Sequence, residues 1–326
     1  MSDLGLLLPH LAGDPAALAE RAEDLDYDSA WLGELWGPSS VVKLTEIACR
    51  TSDISVGSAI LNVFSRSPAV LAMTAMTLDD VSDGRFTLGV GTSTPKAIED
   101  LHGMDWDRPV RRSHEAIELV KDFLGDEGRV QYDGEVFHAA DFPSLDHEVP
   151  VYHAALGPAN RRVVARLCDG WIPHNIPFPD LPEAFEYIAE HAEEAGRDPD
   201  DIEVAPYVPA AVAEDGDAAR DTVRGHIAYY VGSGKGYERA VAGRFPEEAE
   251  RVAGLWRSGD RKEAVAAVTD EMVAALGVAG TPAEARERLD DVLANDAITQ
   301  PLLTIPNNAD EETAILTIEE LAPARR

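Results

Sequence analysis

Residues able to do chemistry gather immediately behind short apolar runs of this chain. Pro9 and His10 follow residues 4–8. Glu34, Leu35 and Trp36 follow 29–33. Asn62, Phe64, Ser65 and Arg66 follow 54–60, and Thr92, Ser93 and Thr94 follow 85–91. His153 lies within 150–154, with Leu156, Gly157 and Pro158 just after it. His174 and Asn175 follow 170–173. Imidazole, amide, hydroxyl and aromatic groups dominate, and charge is sparse. Such a set suits an uncharged ring with hydrogen-bonding edges better than a metal ion. The nine histidines show no H-x-x-H or H-E-x-x-H spacing, so no zinc-type site is read. No G-x-S-x-G elbow marks a nucleophilic serine. The adjacent pairs Asp79, Asp80 and Asp290, Asp291 do not face one another on a helix and read as solvated charges.

Two runs could take a phosphate. In the first, Gly89, Gly91, Thr92 and Ser93 let the backbone approach a ligand closely. In the second, Ala155, Leu156, Gly157 and Pro158 stand just before a helical segment, whose first amides attract anions. A lone G-x-G also serves tight packing at a strand end, so both uses stay open.

These groups need elements that bring them to one place. Short apolar runs of the buried-strand type occur at 4–8, 29–33, 54–60, 85–91, 150–154, 170–173, 202–208 and 301–306. Helical patterns lie between them, at 15–25, from a Ser39 or Ser40 cap, 68–84, 110–124, 157–167, 182–195, 217–230 and 311–321. Residues 130–138, with Asp133 and Gly134 at their centre, read as a hairpin. Strand–helix alternation of this kind builds a parallel sheet by right-handed crossovers. Eight strands give the fold class α/β, a (β/α)8 TIM barrel. It forms one domain over 1–326, with insertions after strands 4 and 7 at about 92–149 and 232–300. Barrel chemistry sits where strands pass into helices, which is where the polar groups fall. A doubly wound sheet would need three glycines after the first strand, and LLLPHLAGDP has one. No repeat or low-complexity segment is visible.

Composition narrows the partners. The chain has 28 basic and 60 acidic residues, a net charge of −32, and the acids are spread along its length. Nucleic acid and anionic membranes are excluded as partners by repulsion. Self-repulsion of this size is relieved by molar salt, where the Debye length falls to roughly 3 Å. A salt-loving protein is the reading. Cys49 and Cys168 lie in helical segments and read as small buried hydrophobes. No signal peptide is visible, and no apolar run reaches the ~18 residues of a membrane span, so a soluble, cytoplasmic protein is expected.

The run GSAILNVFSRSPAVLAMTAMTLDDVSDGRFTLGVG resembles the core signature of the bacterial luciferase-like superfamily. PVYHAALGPANRRVVARLCDGWIPH is similar to its second signature, and WLGEL adds to the match. Within the superfamily, the spacing of Gly57, Asn62, Arg66 and Pro68 resembles the F420-dependent oxidoreductases, and among them the archaeal methylene-tetrahydromethanopterin reductases. The acidic composition then points to a haloarchaeal source. The resemblance implies an oxidoreductase that moves a hydride between C5 of the deazaflavin coenzyme F420 and a small organic substrate. That substrate would be a one-carbon tetrahydropterin or tetrahydrofolate, or a sugar-like alcohol. It implies a non-proline cis bond at Ala59–Ile60 behind the ring, Asn62 and Arg66 at its edge, and Gly91, Thr92, Ser93, Gly157 and Pro158 towards its phosphate. Glu34 is the implied acid, with His10 as a catalytic helper and His153 and His174 beside the cofactor. The histidine that usually follows the acid after strand two is replaced by Leu35. A homodimer through the second and third helices is expected. An FMN-dependent monooxygenase and a non-catalytic flavin-binding barrel are the alternatives.

Overall fold

Proline and short polar residues start most of the helices. The structure, a computed structural model, describes residues 3–9, 13–126 and 128–325. Strand β1, Gly5–Leu7, leads to helix α1, Pro15–Asp24, whose Asp14 cap accepts the Ala16 N–H. Strand β2, Ser29–Leu32, is followed by α2, Ser40–Arg50, then by β3, Ser55–Ser58, and β4, Leu61–Asn62. Helix α3, Pro68–Ser82, is capped by Ser67, and β5 is Phe86–Gly91. A π-helical turn, Ala97–Leu101, precedes α4, Pro109–Leu124. A hairpin of β6, Arg129–Asp133, and β7, His138–Pro143, comes next. Then come β8, Val151–Ala154, α5, Pro158–Leu167, β9, Gly170–Trp171, and α6, Leu181–Glu194. The strands β10, Glu203–Val204, and β11, Tyr207–Val212, flank Ala205 and Pro206. Helices α7, Gly216–Ser233, α8, Lys235–Ala242, α9, Pro246–Ser258, α10, Arg261–Ala266, and α11, Asp270–Leu276, follow. The chain ends with β12, Val278–Gly280, α12, Pro282–Leu293, β13, Leu302–Thr304, and α13, Glu311–Glu320. Among the described residues no helix is long and apolar enough to cross a membrane.

Two compact units divide the chain. Residues 31–172 and 188–203 form the unit that carries most of the expected site. Its strands run parallel, β3 and β4 against β5, β5 against β8, and β8 against β9. The register shifts once. Val56 and Gly57 pair with Phe86 and Thr87, but Leu61 and Asn62 pair with Val90 and Gly91. Three residues, 58 to 60, therefore oppose two, 88 and 89, which is the extra residue of a bulge. The Ala59–Ile60 peptide within it is cis, as the resemblance implies. Ser58 holds the bulge in place: its Oγ donates to the Gly89 carbonyl and accepts the Gly89 N–H, each at 2.9 Å. Gly89 must be glycine, because a Cβ there would stand 1.9 Å from the Ser58 carbonyl oxygen.

Residues 1–30, 173–187 and 204–326 form the other unit. Its parallel strands pair β1 with β13, β13 with β11, and β11 with β12. Helices α7 to α11 bury one apolar cluster that includes Val223, Ile227, Val241, Val252 and Met272. A polar knot interrupts this unit's interior. His174 and His226 are buried, with their Nε2 atoms 3.2 Å apart, so one ring donates and the other accepts. Rings of Tyr207, Tyr230 and Tyr237 pack on His174 at centroid distances of 4.7, 4.2 and 5.3 Å. Burial lowers His226 to about 3. Burial, helped by the repulsion of a charged His226, also takes His174 well below the ordinary value.

Several expectations are corrected. Asp79 is buried, and is not a solvated charge. Its carboxylate accepts the Phe86 N–H at 3.1 Å and lies 2.8 Å from His147 Nε2. It thus ties the end of α3 to the start of β5 across the turn at Asp83 and Gly84. Cys49 is exposed, and only Cys168 is buried. The run 202–208 is broken at Ala205 and Pro206, and β11 continues to Val212. The expected loop at 92–109 contains the π-helical turn. The hairpin turns over residues 134–137, later than the Asp133–Gly134 centre expected, because Glu115 accepts the N–H groups of Glu135, Val136 and Phe137. Strand β12 had no readable pattern in its three residues.

Two outcomes follow. Replacing Gly89 with Ala forces the Ser58 carbonyl out of line and costs about 3 kcal/mol, read as a fall in the urea midpoint. The His174–His226 pair makes folding pH-dependent. Unfolded histidine takes a proton below ~6.5, while the buried rings stay neutral to lower pH. The unfolded state then binds more protons, so stability present above ~6.5 is lost as pH falls towards the folded values. Each ring contributes a slope of about 1.4 kcal/mol per pH unit in that window. Urea titrations at pH 7, 6 and 5 should show this slope, and His226→Phe should remove about half of it, leaving the share of His174.

Candidate active site

The site is assembled on the bulge of β3 and β4. The Trp31 ring packs over Gly57, where a Cβ would lie 2.2 Å from the indole. Past the cis bond, Asn62 is oriented by its backbone. Its Oδ1 accepts the N–H groups of Phe64 at 3.0 Å and Ser65 at 2.7 Å. The amide nitrogen is thereby turned to His102 Nε2, 3.5 Å away. Because Nδ2 can only donate, His102 accepts at Nε2 and carries its proton on Nδ1.

Glu34 and Arg66, expected in separate roles, form one ion pair. The carboxylate binds both guanidinium nitrogens, Nη2 at 2.8 Å, with the side chains 14% and 19% exposed. Bidentate pairing fixes both side chains. It also ties β2 to the loop after β4, where the Glu34 N–H donates to the Ile60 carbonyl at 3.2 Å.

Gly91 closes the floor. Its carbonyl accepts the Val63 N–H at 3.0 Å, and a Cβ on it would lie 3.1 Å from the Ile60 side chain and 3.3 Å from Ala154 Cβ. The G-x-G pattern is therefore at least partly packing: Gly89 faces the Ser58 carbonyl and Gly91 faces Ile60. Thr92 and Ser93 follow, half-exposed, with Ser93 in the left-handed region at φ 60°. Thr94 Oγ1 accepts the Ala97 N–H at 3.3 Å at the head of the π-helical turn.

Beside β5, His153 on β8 is fully buried. Its Nδ1 lies 3.2 Å from the Val90 carbonyl and so carries the proton. Nε2 is left without a hydrogen bond, next to an Asn160 whose Oδ1 is also unpartnered. Burial lowers this imidazole to about 4. The Trp171 indole N–H donates to the Ala155 carbonyl at 2.7 Å and fixes the turn that follows β8. Gly157 is the N-cap of α5 with Pro158 at the first position; no side chain caps it, and a Cβ there would meet nothing within 4 Å.

Ala59, Ile60, Asn62, Arg66, Glu34, Gly91, Thr92, Ser93, His153, Gly157 and Pro158 thus belong to one unit. His174 belongs to the other, in the histidine–tyrosine knot. His10 lies outside the described residues. Sequence reasoning missed the groups brought by the segment after β5. His102 meets Asn62, Trp106 stacks on Phe64 at 4.9 Å and 13°, and Arg112 lies over the same ring at 4.7 Å. Their only signal was an aromatic residue within a polar loop. His226 and Tyr230 were missed because their helix, α7, reads as ordinary amphipathic sequence. Among the described residues no group of His, Cys, Asp or Glu is clustered to hold a metal ion.

Known proteins resemble this chain over most of its length. The family model for luciferase-like monooxygenase matches residues 12–300. A 5,10-methylenetetrahydromethanopterin reductase of Archaeoglobus fulgidus is 30% identical over 93% of this chain and 92% of its own length. An F420-dependent glucose-6-phosphate dehydrogenase of Microbacterium testaceum is 28% identical over 68% of this chain and 67% of its own. The solved structure of a coenzyme F420-dependent tetrahydromethanopterin reductase from Methanopyrus kandleri superposes with a TM-score of 0.84 at 26% identity, covering 99% of this chain and 98% of that one. The α/β fold described above is the TIM-barrel fold of these proteins. On this evidence the chain belongs to the luciferase-like monooxygenase family.

Proposed function

We propose that this protein is a coenzyme F420-dependent oxidoreductase that transfers a hydride between F420 and a small organic substrate, with a one-carbon tetrahydropterin or tetrahydrofolate as the substrate class. The observation that carries the reading is the cradle at the bulge, in a chain similar over nine-tenths of its length to a methylenetetrahydromethanopterin reductase. The donor set suits the cofactor. Asn62 offers an oriented amide, Thr92 and Ser93 offer hydroxyls, and the uncapped start of α5 at Gly157 offers backbone amides to a phosphate. Ala59, Ile60, Gly91, His153 and Pro158 would complete the holding surface.

F420, when bound, supplies or accepts the hydride at its C5 carbon. The chain's own groups do the rest. Glu34 holds Arg66 so that the loop from 62 to 66 keeps its place at the ring's edge, and both carboxylate oxygens are engaged in that pair. Reducing a methylene bridge to a methyl group breaks one carbon–nitrogen bond and needs a proton as well as a hydride. That proton comes from solvent, and His102, exposed to water beside Asn62, is the imidazole at this mouth able to hydrogen-bond the water that delivers it.

The protein acts as a homodimer through α2 and α3. Val42 on α2 is 66% exposed, and Val70 and Met73 on α3 are 41% and 49% exposed. Apolar side chains gathered on adjoining helices favour burial against a second copy.

Three measurements test these statements. Titration with F420, followed by its fluorescence, should saturate at micromolar concentration, while FMN should bind at least tenfold more weakly. Tight FMN binding without a response to F420 would sink the cofactor assignment. Glu34→Gln should lower kcat about tenfold or more by releasing Arg66. Light scattering should give twice the chain mass, and the double change Val42→Asp, Met73→Asp should halve it.

A further inference from the structure

Arg112 stands out in a chain with twice as many acids as bases. Its guanidinium lies over two rings, 4.7 Å from the Phe64 centroid and 5.2 Å from that of Phe137. Its Nε is buried without a hydrogen-bond partner. Among the described residues no carboxylate forms an ion pair with it, although acids surround it. Each of those acids is engaged elsewhere. Asp107 pairs with Arg108 at 2.9 Å, Glu135 pairs with Arg111 at 3.0 Å, and Glu115 accepts three backbone N–H groups of the hairpin turn. Burial lowers the Arg112 guanidinium, but an arginine stays charged at any working pH.

Its position connects it to the mouth. Phe64 donates its N–H to Asn62, the residue that ends β4, and stacks on Trp106. Arg112 is therefore one ring away from the cradle. A planar, weakly hydrated cation held by aromatic faces, with its fork free of partners, matches an oxyanion in a bidentate pair. The cofactor's phosphate is already provided for at Ser93 and Gly157 in the reading above.

We propose that Arg112 anchors a carboxylate or phosphate of the small-molecule substrate. This rests on the oxidoreductase reading and narrows it to substrates with an anionic group set apart from the reacting carbon. Neighbouring arginines take up the local acids so that this one stays open.

Isothermal titration of the full-length protein with glutarate, and with diethyl glutarate as a neutral control, tests it at fixed ionic strength. The expected result is saturable binding of glutarate and none of the diester. Arg112→Met should weaken glutarate at least tenfold, and Arg112→Lys, which keeps the charge, should recover part of that loss. F420 affinity should change less than twofold in both variants. Equal glutarate binding by wild type and Arg112→Met would overturn the proposal, as would no saturable binding by wild type. A role limited to stacking on Phe64 would make Arg112→Lys as poor as Arg112→Met, which also overturns it. Displacement of glutarate by F420 would assign the site to the cofactor and overturn the substrate assignment. Failure of the cofactor reading is distinct: wild type would then ignore F420 while still separating glutarate from its diester.

Discussion

One serine hydroxyl governs how this site is built. Ser58 Oγ bonds both the N–H and the carbonyl of Gly89, so two neighbouring strands are pinned where their ladder is interrupted. A one-residue excess in a strand reverses which face every later side chain takes. Pinned by Ser58, the excess is confined to residues 58 to 60, and β4 resumes pairing with Leu61 and Asn62. The orientation of Asn62, the tautomer of His102 and the contact of Gly91 with Ile60 all follow from that local arrangement. The clamp works only because residue 89 has no side chain.

Around this point the polar groups work in closed pairs. Glu34 satisfies Arg66, Asp79 satisfies the first amide of β5, and Glu115 satisfies a hairpin turn. Buried carboxylates with several donors hold loops in one geometry, because breaking any one bond leaves a charge unsatisfied. The groups that remain incompletely engaged are then informative. His153 Nε2, Arg112 Nε and the start of α5, where no side chain caps the helix, are among the open valences of the unit. The Arg112 guanidinium and the amides at the start of α5 are donors that meet anions, and His153 Nε2 is an acceptor that meets a hydrogen-bond donor.

Much of this was legible before any coordinates. Pro15, Pro68, Pro109 and Pro158 mark helix starts because proline fits the first turn and little else. Apolar runs at 4–8, 29–33 and 85–91 became strands because both their faces are buried. What stayed hidden depends on distant partners. Asp79 reads as a surface acid until Phe86 and His147 are seen to meet it. Cys49 lies on a helix among apolar neighbours, yet on the outward side. His102 and Arg112 lie in and after a loop with no periodicity, so nothing local says which way they turn. Glu34 and Arg66 were both picked out, and Glu34 could be read as a buried acid paired with an arginine, but which arginine was hidden because 32 residues separate the two.

The acidic surface has a kinetic meaning as well as a partner-excluding one. An anionic ligand must cross the field of a chain with net charge −32 before it meets Arg112 or the start of α5. Long-range repulsion of that kind slows encounter and acts only within about a Debye length. Added salt therefore speeds arrival at this mouth, the reverse of the usual steering of oppositely charged partners. Once the ligand is within the last few ångströms, the attraction of a half-buried guanidinium is screened much less. With Arg112 assigned to an anion as proposed, approach and retention separate: the solvent's ionic strength would set how often an anion reaches the site, and the local cation how long it stays.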